Sequence, residues 1–530
     1  MKLCHRLFLF CFLFALGAKA QAASTFVYCS EGSPTSFNPQ ITTDGTSNNA
    51  AGHPIYNRLV EFKYGTTETI PGLAESWTVS PEGKVYTFKL RKGVKFGSTK
   101  YFTPTREFNA DDVLFSIERQ KDPSHPFHSV NGGNYEFFKA MEVDTLISTV
   151  KKLDNFTVEF KLNKPESPFI TNMAMSFMSI LSKEYADKLM KENKKEDIDN
   201  FPIGTGPFVF RSYEKDTLVR FEANPTHWQG APKIDKLVFA ITPDANVRYQ
   251  KLKTGECHLI IEPAPADINA MKQDSNLKVM EAAGLNVGYL AFNVKKKPFD
   301  NLDVRRAIYH ALNRASYINA IYMGNAILAK NPLPPTIWSY NDKTEDYPFN
   351  LEKAKALLTK AGYPSGFAAE LWTLPVTRPY NPNGKKMGEM MQAELAKIGI
   401  KITLVTYDWP TYLAKSRNGE HQMIQLGWTG DNGDPDNFLN VLLGCSGMNA
   451  GSNVAQWCQK DFNQKVVKAK SIANQETRTK LYKEAQEIFH DRAPWVPVAH
   501  AMIYRAMSAK VQGYKIDPLG GDIFREVSLE

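Results

Sequence analysis

One acidic and one basic side chain stand in loops that each follow a strand-like segment. Asp431 lies within residues 427–438, directly after the strand-like run 423–426, and Arg378 follows the strand predicted over residues 370–375. A cation and an anion at neighbouring strand ends fit a short zwitterion whose charged groups are about 7 Å apart, roughly two residue lengths. A dipeptide has that shape, so the two loops together predict a site for a small molecule carrying an ammonium and a carboxylate.

Simpler interpretations exist for each loop taken alone. A loop rich in Gly and Asp is most often only a turn. An EF-hand calcium loop counted from Asp431 needs Asp or Asn at its third and fifth places, where Gly433 and Pro435 stand. An isolated arginine such as Arg378 is more often an ion-pair residue of the surface. It is the pairing of the two loops that favours the zwitterion hypothesis.

The elements that position these loops follow from the apolar periodicity. Asp434 followed by Pro435 predicts an N-cap with proline in the first turn, and the helix includes residues 438–443. Residues 385–398 carry an apolar stripe typical of a helix, and residues 401–406 give the next strand. Together with the preceding strand they form a predicted βαβ unit. Ligands of open α/β sheets bind outside the carboxyl ends of the strands, which is where both loops lie.

The rest of the chain predicts an α/β fold. Residues 26–29 indicate a strand, residues 78–90 a hairpin, and Asn109 the N-cap of an amphipathic helix. Residues 284–293 indicate a buried strand, after which helix and strand patterns alternate as far as Leu443. Residues 496–501 indicate a further strand.

Charge and motifs exclude several classes of function. The formal net charge of +8 is spread thinly, without the basic blocks of nucleic-acid-binding proteins. The turn at residues 204–209 resembles a dinucleotide fingerprint only superficially, because Pro207 interrupts it and Val209 occupies its last glycine position. No P-loop, Gly-x-Ser-x-Gly elbow or His-Glu-x-x-His helix occurs. We therefore expect a receptor, not an enzyme, with no cofactor, no bound metal and no nucleic-acid partner.

The amino terminus predicts export. Residues 1–22 combine a basic start, an apolar core at residues 7–16 and a small-x-small cleavage pattern at residues 20–22, as in a secretory signal peptide. No later apolar run approaches the ~18 residues of a membrane span. We expect a soluble periplasmic protein from which the signal peptide has been removed.

Four cysteines remain after cleavage: Cys29, Cys257, Cys445 and Cys458. An even number in an exported protein indicates disulfides, with three possible connectivities. Pairing Cys445 with Cys458 closes the shortest loop and would contribute roughly 3 kcal/mol on the chain-entropy model. Zinc is the competing interpretation, but the Cys-x-x-Cys spacing of zinc sites is missing.

Several stretches together resemble the peptide- and nickel-binding family of solute receptors that serve bacterial ABC importers, and within it the dipeptide-binding members. They are residues 26–34 (FVYCSEGSP), 56–62 (YNRLVEF), 204–208 (GTGPF), 284–289 (GLNVGY), 378–383 (RPYNPN) and 427–438 (GWTGDNGDPDNF). The resemblance implies a type II periplasmic-binding-protein clamshell with two lobes and three domains. Lobe one would comprise residues 23–283 and 502–530, with an inserted subdomain near 56–205; lobe two, residues 284–501, would carry the main ligand-binding loops.

The resemblance also implies roles for individual residues. Asp431 is similar in position to the residue that binds a dipeptide ammonium, and Arg378 to the one that binds its carboxylate. Backbone groups would contact the main chain of the ligand, with Thr43 contributing from lobe one. These backbone positions are Pro379, Tyr380, Trp428, Thr429 and Gly430. The implied disulfides are Cys29–Cys257 and Cys445–Cys458.

The function that the resemblance implies is capture of dipeptides and their delivery to the membrane permease subunits of an ABC importer, by a monomeric receptor. Relatives on the same fold bind haem, glutathione or other peptides, and fold does not decide between these cargoes. A haem- or glutathione-binding receptor therefore stays open as the alternative.

Overall fold

The computed structural model describes residues 24–530, so the predicted signal peptide, residues 1–22, lies outside the described residues. The strands are β1 Thr25–Ser30, β2 Val60–Phe62, β3 Thr69–Pro71, β4 Ala74–Val79, β5 Val85–Leu90, β6 Ile147–Asp154, β7 Thr157–Leu162, β8 Phe208–Glu214, β9 Leu218–Ala223, β10 Lys236–Ile241, β11 Leu259–Ile261, β12 Leu277–Ala283, β13 Asn286–Phe292, β14 Ala326–Leu328, β15 Ala368–Trp372, β16 Lys401–Val405, β17 Met423–Thr429, β18 Trp495–Ser508, β19 Val511–Gln512 and β20 Ser528–Leu529.

The helices are α1 Gly45–Ser47, α2 Ala110–Lys121, α3 Glu136–Ala140, α4 Val143–Leu146, α5 Phe169–Asn172, α6 Lys183–Lys191, α7 Asp197–Asn200, α8 Ala245–Thr254, α9 Ile268–Gln273, α10 Leu302–Ala311, α11 Arg314–Ala320, α12 Leu351–Lys360, α13 Gly384–Ala396, α14 Trp409–Arg417, α15 Asp436–Leu443, α16 Cys445–Ala450, α17 Lys460–Lys470 and α18 Gln475–Arg492. Short π or 3₁₀ turns lie at Asn48–Gly52, Val130–Gly132, Ser176–Met178 and Pro265–Asp267. Along residues 24–530, we find no helix with the length and apolar character of a membrane span.

One long strand connects two groups of strands. The order of the main sheet is β16-β15-β17-β13-β18-β11-β1-β10-β9-β8, and β12 and β14 also pair with β18. The first part of β18 pairs with β13 and its second part with β11 and β12. The strands on either side of β18 form the sheets of the two lobes, which confirms the predicted two-lobed α/β fold.

The two groups of strands are joined at two adjacent places, where β12 leads into β13 and within β18. The Asn286 side-chain amide donates to the Ala501 carbonyl (2.9 Å) and accepts from the Ala501 N–H (2.8 Å), and His500 Nδ1 donates to the Asn286 carbonyl (2.9 Å). The sequence predicted a strand of residues 496–501 only. That length was wrong, because the strand continues to Ser508 through pairing with β11 and β12, which local periodicity does not reveal.

The predicted βαβ unit is confirmed. Strands β15 and β16 are parallel, with Ala368 opposite Lys401, and β15 is also parallel to β17. Helix α13 connects β15 to β16, and the Asn383 side chain caps its amino terminus. The loops that hold Arg378 and Asp431 therefore follow the carboxyl ends of neighbouring parallel strands.

Two boundaries near Asp431 differ from the prediction. Strand β17 extends to Thr429, and α15 starts at Asp436 with Pro435 at its N-cap, so the prediction of Asp434 as the N-cap was wrong by one residue. Asp434 still accepts a hydrogen bond from the Asp436 N–H (3.0 Å), but its carboxylate also pairs with Arg478 of α18 at 2.7 Å. Asp434 thus bonds to the first turn of α15 from one position before the N-cap, while its carboxylate also holds α18.

Both disulfides that the resemblance implied are present. Cys29 at the end of β1 bonds with Cys257, which precedes β11, and the two Cα atoms are 5.8 Å apart. Cys445 bonds with Cys458, with Cα atoms 4.7 Å apart. The first bond ties two neighbouring strands of one sheet, and the second closes the segment that follows α15.

A buried charge cluster joins the segment around α4 and α5 to lobe two. The Lys470 ammonium, which is 1% exposed, lies 2.6 Å from the Glu142 carboxylate and 3.4 Å from that of Glu166. Neither Glu166 oxygen has a hydrogen-bond partner among the described residues, and the buried Asp436 carboxylate adds a further negative charge. Burial raises the pKa of the Glu166 carboxyl, against the pull of Lys470. One cation thus faces three carboxyl groups.

We expect Glu166→Gln to stabilise the protein at pH 8 and to have little effect near pH 4.5. Because the pKa of Glu166 is raised in the folded state, the free energy of unfolding falls as pH rises above the unfolded value of about 4.3, and a glutamine escapes that loss. The gain at pH 8 should be about 1 kcal/mol or more, measured as the thermal unfolding midpoint against pH. The exposed Glu82→Gln serves as the control. A variant less stable than the wild type at pH 8 would contradict this account.

Two glycines in the sheet leave the space in which Tyr380 packs. Gly288 of β13 lies opposite Gly427 of β17 in the strand register. A Cβ atom at Gly427 would overlap the Tyr380 ring, and one at Gly288 would overlap the Tyr380 carbonyl oxygen. That carbonyl also accepts a hydrogen bond from the Tyr322 hydroxyl at 2.6 Å. The loop after Arg378 can therefore lie against the sheet only because both side chains are absent.

We expect Gly427→Ala to lower the thermal unfolding midpoint, since the new methyl group must displace the Tyr380 ring. Overpacking of this kind costs about 1–3 kcal/mol. Gly32→Ala is the matched control, because a Cβ atom there would come no closer than 3.9 Å to Thr46. Equal unfolding midpoints for the two variants would show that the Tyr380 loop can move aside without loss of stability.

Candidate functional site

A cavity of about 180 Å³ lies between the lobes. Seven of the eight predicted ligand-binding residues line it: Thr43, Arg378, Pro379, Tyr380, Trp428, Thr429 and Asp431. Gly430 is not on its surface, and the Gly430 N–H donates to the Leu285 carbonyl at 2.6 Å. The structure thus brings the two predicted loops and Thr43 to one cavity, but it engages the Gly430 amide within the protein.

Asp431 presents a carboxylate without a cationic partner. Within residues 24–530, no Lys or Arg nitrogen lies within 4.0 Å of it. The Asn437 side chain in the first turn of α15 holds the loop, since its oxygen accepts from the Asp431 N–H (2.9 Å) and from Trp428 Nε1 (3.1 Å). Burial raises the pKa of Asp431 to about 7, while a hydrogen bond from Asn437 lowers it. A cation entering the cavity would stabilise the ionised carboxylate.

Arg378 presents the opposite charge. Its side chain is 12% exposed, and its guanidinium group lies 5.2 Å from the centre of the Trp409 ring. Its backbone forms a small bridge with Asn381, which fixes the loop. Burial alone would lower the pKa of Arg378, but the carboxylates of Glu262, Glu31 and Asp44 outweigh burial and raise it. The guanidinium is therefore charged, and it lines the cavity.

Lobe one supplies acidic residues that we did not predict. Glu31 follows β1 directly, Glu262 follows β11 directly, and both line the cavity. The closest approach of Glu31 Oε1 to the Arg378 guanidinium is 3.6 Å. An acid immediately after a predicted strand was a usable sequence signal, the same one that marks Asp431. What the sequence lacked was the pairing of β1 with β11 and their position opposite lobe two.

A second ion pair crosses the cavity wall. Arg417 at the end of α14 pairs with Glu136 of α3 at 2.5 Å, and the Phe137 ring lies 5.8 Å from the Trp428 ring in an edge-to-face arrangement. These contacts join the segment around α3 to lobe two beside the Asp431 loop. Glu136, Phe137, Arg417 and Trp428 all line the cavity.

The site suits binding of a charged small molecule. Opposite charges on two strand-end loops can hold an anion and a cation of one ligand, and backbone groups around Pro379 and Thr429 can contact the atoms between them. Within the part of the chain that the structure describes, no group of three or more His, Cys, Asp or Glu side chains has the arrangement of a metal site.

Comparisons with known proteins agree with this arrangement. The family model for bacterial extracellular solute-binding proteins, family 5, matches residues 68–450. The chain is 52% identical to the dipeptide-binding protein of Escherichia coli over 97% of this chain and 96% of that protein. It is 49% identical to haem-binding protein A of Haemophilus influenzae over 97% and 94%.

A solved structure shares the fold closely. The dipeptide-binding protein from Pseudoalteromonas sp. SM9913, in complex with Met-Leu, superposes with a TM-score of 0.93 at 40% identity, over 96% of this chain and 100% of that one. Sequence and fold thus point to the same group of receptors. The chain belongs to family 5 of the bacterial extracellular solute-binding proteins.

Proposed function

We propose that this protein is a periplasmic receptor that binds dipeptides by their two charged termini and delivers them to the permease subunits of an ABC importer. One observation carries the proposal: an unpaired carboxylate, Asp431, and a charged guanidinium, Arg378, line the same enclosed cavity at neighbouring strand ends. Asp431 binds the ammonium and Arg378 the carboxylate. The relatives named for dipeptide binding support this assignment.

The domain boundaries follow the passages between the lobes. Lobe one comprises residues 23–283 and 502–530, with an inserted subdomain near 56–205, and lobe two comprises residues 284–501. Opening then occurs where Asn286 bonds with Ala501, because these are the points at which the chain changes lobes. Closure around the ligand removes its charges from water, which strengthens both end contacts. The mature protein acts as a monomer, and residues 1–22 direct its export.

Two fixed charges select a ligand by its length. A third residue would move the carboxylate by about 3.5 Å along an extended chain, away from Arg378. Contacts to the main chain from Pro379, Tyr380, Trp428 and Thr429 are indifferent to side-chain identity. The protein therefore binds many dipeptides and releases them unchanged, without catalysis.

Haem is the second candidate, because the chain is 49% identical to a haem-binding protein over nearly its full length. The cavity argues for the dipeptide. Haem offers two propionates and no ammonium, so the Asp431 carboxylate would be buried without a cation. A titration with haem, followed by its absorbance band in the presence and absence of Ala-Ala, distinguishes the two ligands.

We expect Asp431→Asn and Arg378→Gln each to weaken Ala-Ala binding by about 2–5 kcal/mol, since either change leaves one ligand charge enclosed without its partner. Isothermal calorimetry measures the loss. Acetyl-Ala-Ala, which lacks the ammonium, should bind the wild type weakly. Its affinity for Asp431→Asn should be only slightly lower than its affinity for the wild type. Ala-Ala-amide, which lacks the carboxylate, is the matching ligand for Arg378→Gln.

Asp491→Asn and Arg492→Gln provide matched controls, because both residues are exposed and lie far along the chain from the two loops. Both should bind Ala-Ala as the wild type does. Near-normal affinity for Ala-Ala in Asp431→Asn would contradict the proposal that Asp431 binds the ligand ammonium. Ala-Ala-Ala bound as tightly as Ala-Ala would remove the selection by length.

We expect dipeptide binding near pH 6.5 to release a proton. In the empty cavity burial raises the pKa of Asp431 to about 7. The ligand ammonium lowers that pKa, so binding expels the proton and affinity rises as pH increases through about 7. Calorimetry in buffers of different ionisation enthalpy gives the number of protons released. Equal proton release by the wild type and Asp431→Asn would contradict the role of this carboxylate.

A further inference from the structure

Glu262 is a cavity residue that the binding of peptide termini does not use. It directly follows β11, and its backbone φ of 47° lies in the left-handed region. Its carboxylate accepts no hydrogen bond from any described residue, and its Oε2 atom is fully enclosed. An unsatisfied carboxylate on a strained backbone is costly, and such features concentrate at ligand sites.

Glu31 adds a second carboxylate with an unused oxygen. Its side chain is 9% exposed, and its Oε1 atom accepts from the Thr46 hydroxyl and lies 3.6 Å from Arg378. The Oε2 atom is buried without a hydrogen-bond partner among the described residues. Glu31 and Glu262 thus flank Arg378 from lobe one, and each keeps at least one acceptor free.

Negative charge exceeds positive charge around Arg378. The charged residues that line the cavity are the acids Glu31, Asp44, Glu136, Glu262 and Asp431 and the bases Arg378, Arg417 and Arg505. Arg417 is paired with Glu136, and Arg505 with Asp522 at 2.7 Å. Of the three bases that line the cavity, Arg378 is the one that faces Glu31, Asp44 and Glu262, and Arg248 and Arg505 are also near enough to lower the pKa of Glu262. The buried, unbonded oxygens of Glu31 and Glu262, more than the net charge, therefore point to a missing partner.

A small apolar pocket adjoins this acidic group. Its volume is about 40 Å³, and it shares Glu262 and Arg378 with the main cavity. Its walls include proline rings and aliphatic side chains, among them Pro263, Pro265, Pro382 and Ile503, together with tyrosine rings and the Arg505 side chain, which is paired with Asp522. The methylene stem of a lysine or arginine packs on such walls while its charged end reaches an acid.

We propose that Glu262, with Glu31, selects dipeptides whose carboxyl-terminal residue has a cationic side chain. This inference rests on the proposed function, because Arg378 must hold the ligand carboxylate for that residue to reach the acidic group. The apolar stem of Lys or Arg then packs against the proline-lined pocket, and its charge faces the free oxygens of Glu262 and Glu31. A cationic side chain on the first residue lies near Asp431 instead and gains less.

The preference depends on pH. Burial raises the pKa of Glu262 to about 7, and the neighbouring Glu31 raises it too, whereas Arg378, Arg248 and Arg505 lower it. Below that pH Glu262 carries a proton and attracts a cation less strongly. The advantage of a cationic side chain should therefore grow from pH 6 to pH 8.

The test compares Ala-Lys with Ala-norleucine, which has the same carbon stem without the charge, by calorimetry at pH 8. We expect Ala-Lys to bind the wild type about tenfold more tightly, the effect of one partly desolvated charge pair. In Glu262→Gln the ratio should fall to about threefold or less, with Glu31→Gln as the second variant and the exposed Glu82→Gln as the control. Lys-Ala and norleucine-Ala test the position of the charge.

The possible outcomes distinguish failure of this inference from failure of the proposed function. If Ala-Lys and Ala-norleucine bind the wild type with equal affinity, the proposed preference for a cationic side chain is wrong, but the proposed dipeptide-binding function is not contradicted. If the preference for Ala-Lys survives in both Glu262→Gln and Glu31→Gln, these residues do not cause it. If neither ligand binds the wild type, the proposed function fails and the inference with it. Binding of Ala-norleucine by each variant shows that its cavity is folded.

Discussion

A charge enclosed between two protein lobes is tolerated only when an opposite charge or hydrogen-bond donors face it, and this requirement governs the cavity. Among residues 24–530, Asp431 has one side-chain donor, from Asn437, and no cation, which is why burial raises its pKa so far. Arg378, by contrast, has several carboxylates near it, and they raise its pKa. A ligand with an ammonium group would give Asp431 the cation that it lacks. If the ligand also has a carboxylate, that group can bind Arg378, whose guanidinium is already held in place.

The sheet connects these two charges to the rest of the molecule. Strands β15 and β17 are parallel neighbours, so their carboxyl ends deliver Arg378 and Asp431 to the same edge. Strand β18 is shared by both lobes, and the bonds between Asn286 and Ala501 lie at the passage. Under the proposed function the lobes rotate there, with each half of β18 keeping its own strand partners.

Buried polar groups recur wherever the two halves of the chain meet. Lys470 faces Glu142 and Glu166, Arg417 faces Glu136, and Arg378 faces Glu31. Ion pairs are weak contributors to stability when buried, since desolvation offsets their attraction, but they discriminate strongly between matched and mismatched arrangements. Such contacts suit the separation and rejoining of surfaces in one register that the proposed function requires.

The sequence by itself determined the local elements and the two central residues. Apolar periodicity and capping residues such as Asn383 specified helix α13 and the βαβ unit, because these signals act within about four residues. The position of Arg378 and Asp431 after strands followed from the same patterns. Only the tertiary structure decided that β18 runs on to Ser508, that Asp434 pairs with Arg478, and that Glu31 and Glu262 approach Arg378. Each of these depends on residues distant in the chain, whose proximity is set by strand order and lobe packing and leaves no trace in local periodicity.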